Sequence, residues 1–133
     1  MLRPAFDCGN LIFATVRKGY QQDVCGCEFR VIEDGNLSRK WRLAKSALSI
    51  LRLLLVERPD TVISTGAAPG YFAMFFGKLL GMRTVWVDSI ANADQLSMSG
   101  RNARMCADLW ITQWEHLAVK NGPKYYGSVL SPI

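Results

Sequence analysis

Residues Thr61 to Asp88 read TVISTGAAPGYFAMFFGKLLGMRTVWVD, and this stretch constrains the fold more tightly than any other part of the chain. A β-branched run, TVIST, ends at a loop with two glycines and a proline; an apolar helical pattern, YFAMFFGKLLG, follows, and then a second strand-like run, RTVWVD. Strands that alternate with helix-length connections read as parallel neighbours in a helix-covered sheet. Further runs repeat the theme: LIFATV (Leu11 to Val16), EFRVI (Glu28 to Ile32) and DLWITQ (Asp108 to Gln113), with a weaker candidate at YYGSVL. The expected fold class is therefore α/β, a Rossmann-like parallel sheet with helices on both faces, in one domain over residues 1–133.

The longest helix is expected from an N-cap at Ser38 to Arg58, where Pro59 stops it. Trp41, Ala44, Leu48, Leu51 and Leu55 recur at three- and four-residue intervals and are read as its core face. Arg39, Lys40, Arg42, Lys45 and Arg52 then lie mainly elsewhere. They form either a solvated side or a basic surface resting on anionic lipid headgroups. The chain opens on a polar, proline-containing segment where an open α/β sheet usually has its first strand and glycine loop. The sequence is thus expected to begin one βα unit late.

In such a sheet, ligands bind at the C-terminal ends of the strands. Arg17 and Tyr20 follow the first strand, Asp34, Gly35 and Asn36 the second, Thr65, Gly66, Pro69 and Gly70 the third, Asp88, Ser89 and Asn92 the fourth, and Gln113, Trp114 and His116 the fifth. Gly66 and Gly70 let the backbone approach a ligand, and Pro69 suits a first helical turn, so amides and helix dipole together favour an anion at the mouth. The loop is neither a Walker loop nor a dinucleotide fingerprint, and a plain tight turn is the competing reading. Asp88 is a candidate base or sugar-hydroxyl acceptor, with a loop hydrogen bond as its alternative. Ser97, Ser99, Gly100 and Arg101 suit a phosphate, although Ser97 is equally placed to cap the next helix. His116 has no nucleophile at a diagnostic spacing, which leaves a hydrolase triad unsupported.

Composition narrows the partners. Sixteen Lys and Arg against 11 Asp and Glu give +5, which favours phosphates or acidic headgroups; without a recognised binding motif it gives little support to nucleic acid. Four cysteines and one histidine, with Cys25-Gly-Cys27 lacking a second pair, argue against a metal site. No secretory signal or spanning run is present, and the expected setting is cytoplasmic with reduced cysteines.

From Arg58 to Leu130 the order of the glycine loop, VDSI, LSMSG, ADLWITQW and YYG resembles the acceptor-side, membrane-anchoring subunit of bipartite UDP-sugar glycosyltransferases. That family includes the dolichol-linked oligosaccharide N-acetylglucosamine transferase subunit and bacterial exopolysaccharide-synthesis relatives. The resemblance implies the N-terminal half of a B-type glycosyltransferase, similar in layout to the peptidoglycan lipid II enzyme but lacking the first strand and its GGH-type loop. It implies a polyprenyl-diphosphate-linked saccharide acceptor, a donor-binding partner subunit, no cofactor, activity only with that partner, and a peripheral position at the cytoplasmic face of an anionic membrane. On this comparison Gly66, Pro69 and Gly70 approach the acceptor diphosphate and Asp88 is the catalytic candidate; the strand-end reading adds Thr65, Ser89, Ser97, Ser99 and Arg101 as expected diphosphate contacts and Arg17, Tyr20, Gln113, Trp114 and His116 as the expected crevice rim. A non-catalytic docking scaffold, or a truncated inactive relative, is the alternative.

Overall fold

The computed structural model describes residues 10–17, 19, 27–32 and 40–129. Six strands and three helices are ordered β1 (Ile12–Thr15), β2 (Glu28–Val31), α1 (Lys40–Glu57), β3 (Thr61–Ser64), α2 (Ala67–Leu79), β4 (Arg83–Val87), α3 (Met98–Ala103), β5 (Leu109–Thr112) and β6 (Lys124–Tyr125). Every strand pairing is parallel, as a βαβ alternation requires. The weak YYGSVL candidate becomes β6, two residues long and shifted to Lys124 and Tyr125. Ser38, the expected N-cap of α1, lies outside the described residues.

The strands form two sheets, β1–β2 and β3–β4–β5–β6. Among the described residues β1 and β3 each pair on one side only. Burial along β3 alternates between the two faces of the sheet: Val62 and Ser64 are buried, whereas Thr61 and Ile63 are exposed. The two sheets are connected through α1. Arg30 on β2 donates from Nε to Glu57 Oε1 of α1 at 3.1 Å, and Ile32 packs on the common core.

That core collects Ile50 and Leu54 from α1, Val62 from β3, Met74 from α2, Trp86 from β4, and Ala103 and Cys106 from the α3 region. Met74 and Trp86 have no exposure at all. Burying side chains the size of Ile50, Leu54, Val62 and Met74 contributes roughly 1.5–3 kcal/mol each, which holds α1 and α2 on the sheet.

The sequence reading of α1 is corrected here. Ser46, Ile50 and Leu54 are its buried residues, while Trp41, Leu48 and Leu55 are exposed by 61%, 67% and 48%. The helix is apolar on two sides, with Leu43, Ile50, Leu53 and Leu54 competing with the expected set, so periodicity alone defines two possible core stripes. Packing against α2 and the sheet selects the one that includes the small Ser46.

Candidate acceptor crevice at the strand ends

α2 begins without a side-chain cap. Gly66 occupies the N-cap position at φ 141° and ψ −172°, a conformation that only glycine enters readily, and Ala67 follows at φ 62°. A non-glycine residue in the left-handed region costs roughly 1–3 kcal/mol and persists where the surroundings impose it. The first turn is fixed from beneath by Ser64, whose hydroxyl accepts the Gly66 N–H at 3.4 Å. A Cβ on Gly70 would overlap that same hydroxyl, so glycine is needed for α2 to start this close to β3. Thr65 and Ala67 are exposed at the mouth and Pro69 is buried in the first turn. The helix thus presents unpaired early amides, the positive end of its dipole and no acidic first-turn residue, which suits an anion.

Asp88 ends β4 at 2% exposure. Its Oδ1 accepts from Ser97 Oγ at 3.0 Å, Asn92 Nδ2 at 3.3 Å and the Trp86 indole at 3.4 Å, and its Oδ2 accepts from the Ser97 N–H at 3.4 Å. Ser97 Oγ in turn accepts the Gly100 N–H at 2.8 Å, which makes it the α3 cap. Gly100 must be small for this, because a Cβ would lie 2.8 Å from both Asp88 Oδ1 and Ser97 Oγ. The carboxylate therefore closes the loop over residues 89–97 onto the end of β4 from behind.

Two rim candidates hold the same loop from its other side. Trp114 donates its indole N–H to the Ile90 carbonyl at 3.1 Å, and the His116 Nε2–H donates to the Ala93 carbonyl at 2.6 Å. Gln113 is buried, and its Oε1 accepts the Val129 N–H at 3.0 Å, fixing the segment after β6. Ser89 accepts the Ala91 N–H at 3.2 Å within the loop. Ser99 is half-buried on α3, Arg101 is exposed there, and Arg17 is exposed just beyond β1. Tyr20, with Asp34, Gly35 and Asn36, lies outside the described residues. Among the described residues no group of three His, Cys, Asp or Glu side chains is arranged to hold a metal ion.

The left-handed Ala67 at the start of α2 and Trp86 behind Asp88 were not singled out from sequence. One signal was available for Trp86. Strand periodicity places residues two apart on one face, so an indole at position 86 is directed toward a side chain at position 88.

The family model described as "Oligosaccharide biosynthesis protein Alg14 like" matches residues 27–129, most of the chain. The chain belongs to this Alg14-like family. Its curated relatives include three proteins named UDP-N-acetylglucosamine transferase subunit ALG14. The Debaryomyces hansenii protein is 29% identical over 110 residues, 76% of this chain and 47% of that protein. The Eremothecium gossypii protein is 30% identical over 94 residues, with 65% and 42% covered, and the Candida glabrata protein is 37% identical over 49 residues, with 35% and 20% covered. This Alg14-like chain thus spans less than half the length of these relatives.

Solved structures agree on the fold. The Alg14-like chain resembles MurG of Acinetobacter baumannii with a TM-score of 0.61 at 13% identity, covering 81% of this chain and 33% of MurG. It also resembles a putative UDP-N-acetylglucosamine 2-epimerase of Listeria monocytogenes with a TM-score of 0.55 at 12% identity, covering 77% and 30%. The α/β fold with parallel sheets is the one expected for the N-terminal half of a B-type glycosyltransferase.

Proposed function

We propose that this chain is the acceptor-side subunit of a two-component UDP-sugar glycosyltransferase, acting in lipid-linked oligosaccharide or exopolysaccharide synthesis. It binds a polyprenyl-diphosphate-linked saccharide at the start of α2 and recruits a separate nucleotide-sugar-binding subunit that completes the active site. It works as a single peripheral domain at the cytoplasmic face of an anionic membrane. The observation that carries this reading is the uncapped, left-handed entry to α2 at Gly66 and Ala67, on the strand-end edge of a parallel sheet in an Alg14-like chain.

In the transfer, the acceptor hydroxyl oxygen bonds to the anomeric carbon as the bond to UDP breaks, and the hydroxyl proton passes to a base. Asp88, the base candidate from sequence, already accepts four hydrogen bonds at 2% exposure. We therefore assign it to positioning: it shapes the 89–97 wall while the diphosphate lies against Thr65, Gly66 and Gly70, with Ser89, Ser99 and Arg101 nearer the rim. Trp114 and His116 brace that wall from the opposite side.

Co-purifying the chain with a donor-binding subunit, then supplying UDP-N-acetylglucosamine and a polyprenyl-diphosphate-linked saccharide, tests the assignment. Transfer by the pair, and by neither protein alone, is the expected outcome. A stable pair that transfers no sugar would favour the docking-scaffold reading.

A further inference from the structure

Among the described residues, all three helices pack on one face of the larger sheet. α2 lies directly over the even-numbered positions of β3 and β4: a Cβ on Gly70 would meet Ser64 and Trp86, and one on Gly77 would meet Val62 and Thr84. α1 and α3 join the same side through Ile50, Leu54 and Ala103, which share a core with Val62 and Trp86. Successive strand residues point to opposite faces, so the odd-numbered positions form the other face. Register sets them in rows. Ile63, Val85 and Leu109 are in line across β3, β4 and β5, and Val87 and Ile111 form the next row. No described helix covers these rows: Ile63 is 41% exposed, and Val85, Leu109 and Ile111 are half-buried. A parallel sheet is ordinarily covered on both faces, because its strands carry apolar residues on both. Two cations frame the rows. Arg83 opens β4 two residues before Val85, on the same face, and Lys124 of β6 is in register with Ile111. Both are exposed, neither has an ion-pair partner among the described residues, and β3 to β6 contain no Asp or Glu.

We infer that this face is a docking surface for an amphipathic helix of a partner polypeptide, one whose apolar stripe is flanked by Asp and Glu. The width fits. Three strands at about 4.8 Å spacing carry a row about 10 Å across, the diameter of one helix. Charge selects the kind of helix: Arg83 and Lys124 match carboxylates at the margins of the stripe and repel a basic helix. A second copy is the poorer match. Two such faces would bring the cations of both copies together with no acid between them, and α1, the longest helix a second copy offers, carries Lys40, Arg42, Lys45 and Arg52 against Glu57 alone. Side chains that are already half-buried suit the inserted ridge of a helix, whereas a bilayer takes protruding ones. The surface is separate from the strand-end crevice, and the inference does not rest on the acceptor reading.

Fluorescence anisotropy of two labelled synthetic helices, titrated with the full chain, tests this. Both carry one leucine stripe over about 18 residues; Glu flanks it in one and Lys in the other. The wild type is expected to bind the Glu-flanked helix saturably and at least about tenfold more tightly than the Lys-flanked one. Arg83→Glu with Lys124→Glu should reverse that preference, and Ile63→Gln should weaken the Glu-flanked helix by about tenfold. Lys40→Glu with Arg52→Glu makes the same change of net charge on α1 and should leave the preference in place. All five positions are exposed, and the circular dichroism of the variants is expected to match wild type. No saturable binding, equal binding of the two helices by the wild type, or a preference that both charge reversals alter alike would overturn the inference. A dimer in sedimentation equilibrium that Ile63→Gln dissociates would assign the face to a second copy, and anionic vesicles that displace the bound helix would assign it to lipid; either result overturns the partner helix.

Discussion

Asp88 and Gly66 show two ways in which a residue at the strand ends can set the backbone around a site, one by hydrogen bonds and one by conformation. Asp88 gathers Trp86, Asn92 and Ser97 on one carboxylate, so replacing it leaves several donors mismatched. Asp88→Asn is expected to destabilise the chain by about 2 kcal/mol in urea unfolding. In the reconstituted pair it should reduce turnover without changing the shape of the pH–rate profile. Loss of the acidic limb of that profile would identify Asp88 as the base instead. Gly66→Ala is expected to cost about 1–3 kcal/mol by the same unfolding measurement. The cause is backbone strain alone, because a Cβ at Gly66 meets nothing within 4 Å. Sequence identified both positions, since an aspartate after an apolar strand and a glycine before a helix are local signals. Whether the carboxylate pointed outward into a crevice or back into the loop was settled by Ser97 and Gly100, nine and twelve residues away.

At the scale of elements, local pattern and tertiary packing part company. The strands were legible because each is a short β-branched run between turn residues, and five of the six were located to within a residue or so at either end. The face of α1 was not, since leucines on both sides of the cylinder make two stripes equally apolar and only the neighbouring α2 distinguishes them. A second staple, invisible to periodicity, joins α2 to the opposite end of the sheet. Lys78 Nζ bonds Asp108 Oδ1, while Asp108 Oδ2 accepts the Thr84 N–H at 3.0 Å, and the buried Thr84 hydroxyl donates to the Cys106 carbonyl at 2.6 Å. The Lys78 ammonium first, and the Thr84 donors after it, hold the Asp108 carboxyl below its ordinary range. A carboxyl with a lowered native pKa contributes stability above its unfolded value of about 3.9 and loses it as pH falls through the native one. The staple should therefore be fully formed near neutral pH and weaken below about pH 4. Both ends of the ion pair are nearly half-exposed, which limits it to about 1 kcal/mol. Asp108→Asn is expected to lower the unfolding free energy from urea titration at pH 7 by that amount and to flatten the acid limb of stability below about pH 4. An undiminished acid limb in the variant would assign it to other carboxylates.

For the whole molecule, the split between the β1–β2 and β3–β6 sheets frames the account, with the Gly66 loop beginning beside β3, the edge strand of the larger sheet. The α/β class was readable from the alternation of runs; how the strand-end residues engage one another was not, because it depends on hydrogen bonds between loops that follow different strands. Two features at the strand ends are defined by the described residues: the α2 entry, and the 89–97 loop held by Asp88 and by the Trp114–His116 pair. The central claim is that the α2 entry receives the diphosphate of a lipid-linked acceptor. Isothermal titration of farnesyl diphosphate into the wild-type chain and into Thr65→Glu tests it most directly, because Thr65 is exposed at the mouth and the substitution adds a negative charge there without disturbing the core. Saturable binding that weakens at least about tenfold in the variant and declines with salt is the predicted result. Equal affinity in the two proteins, or no saturable binding to the wild type, would contradict it.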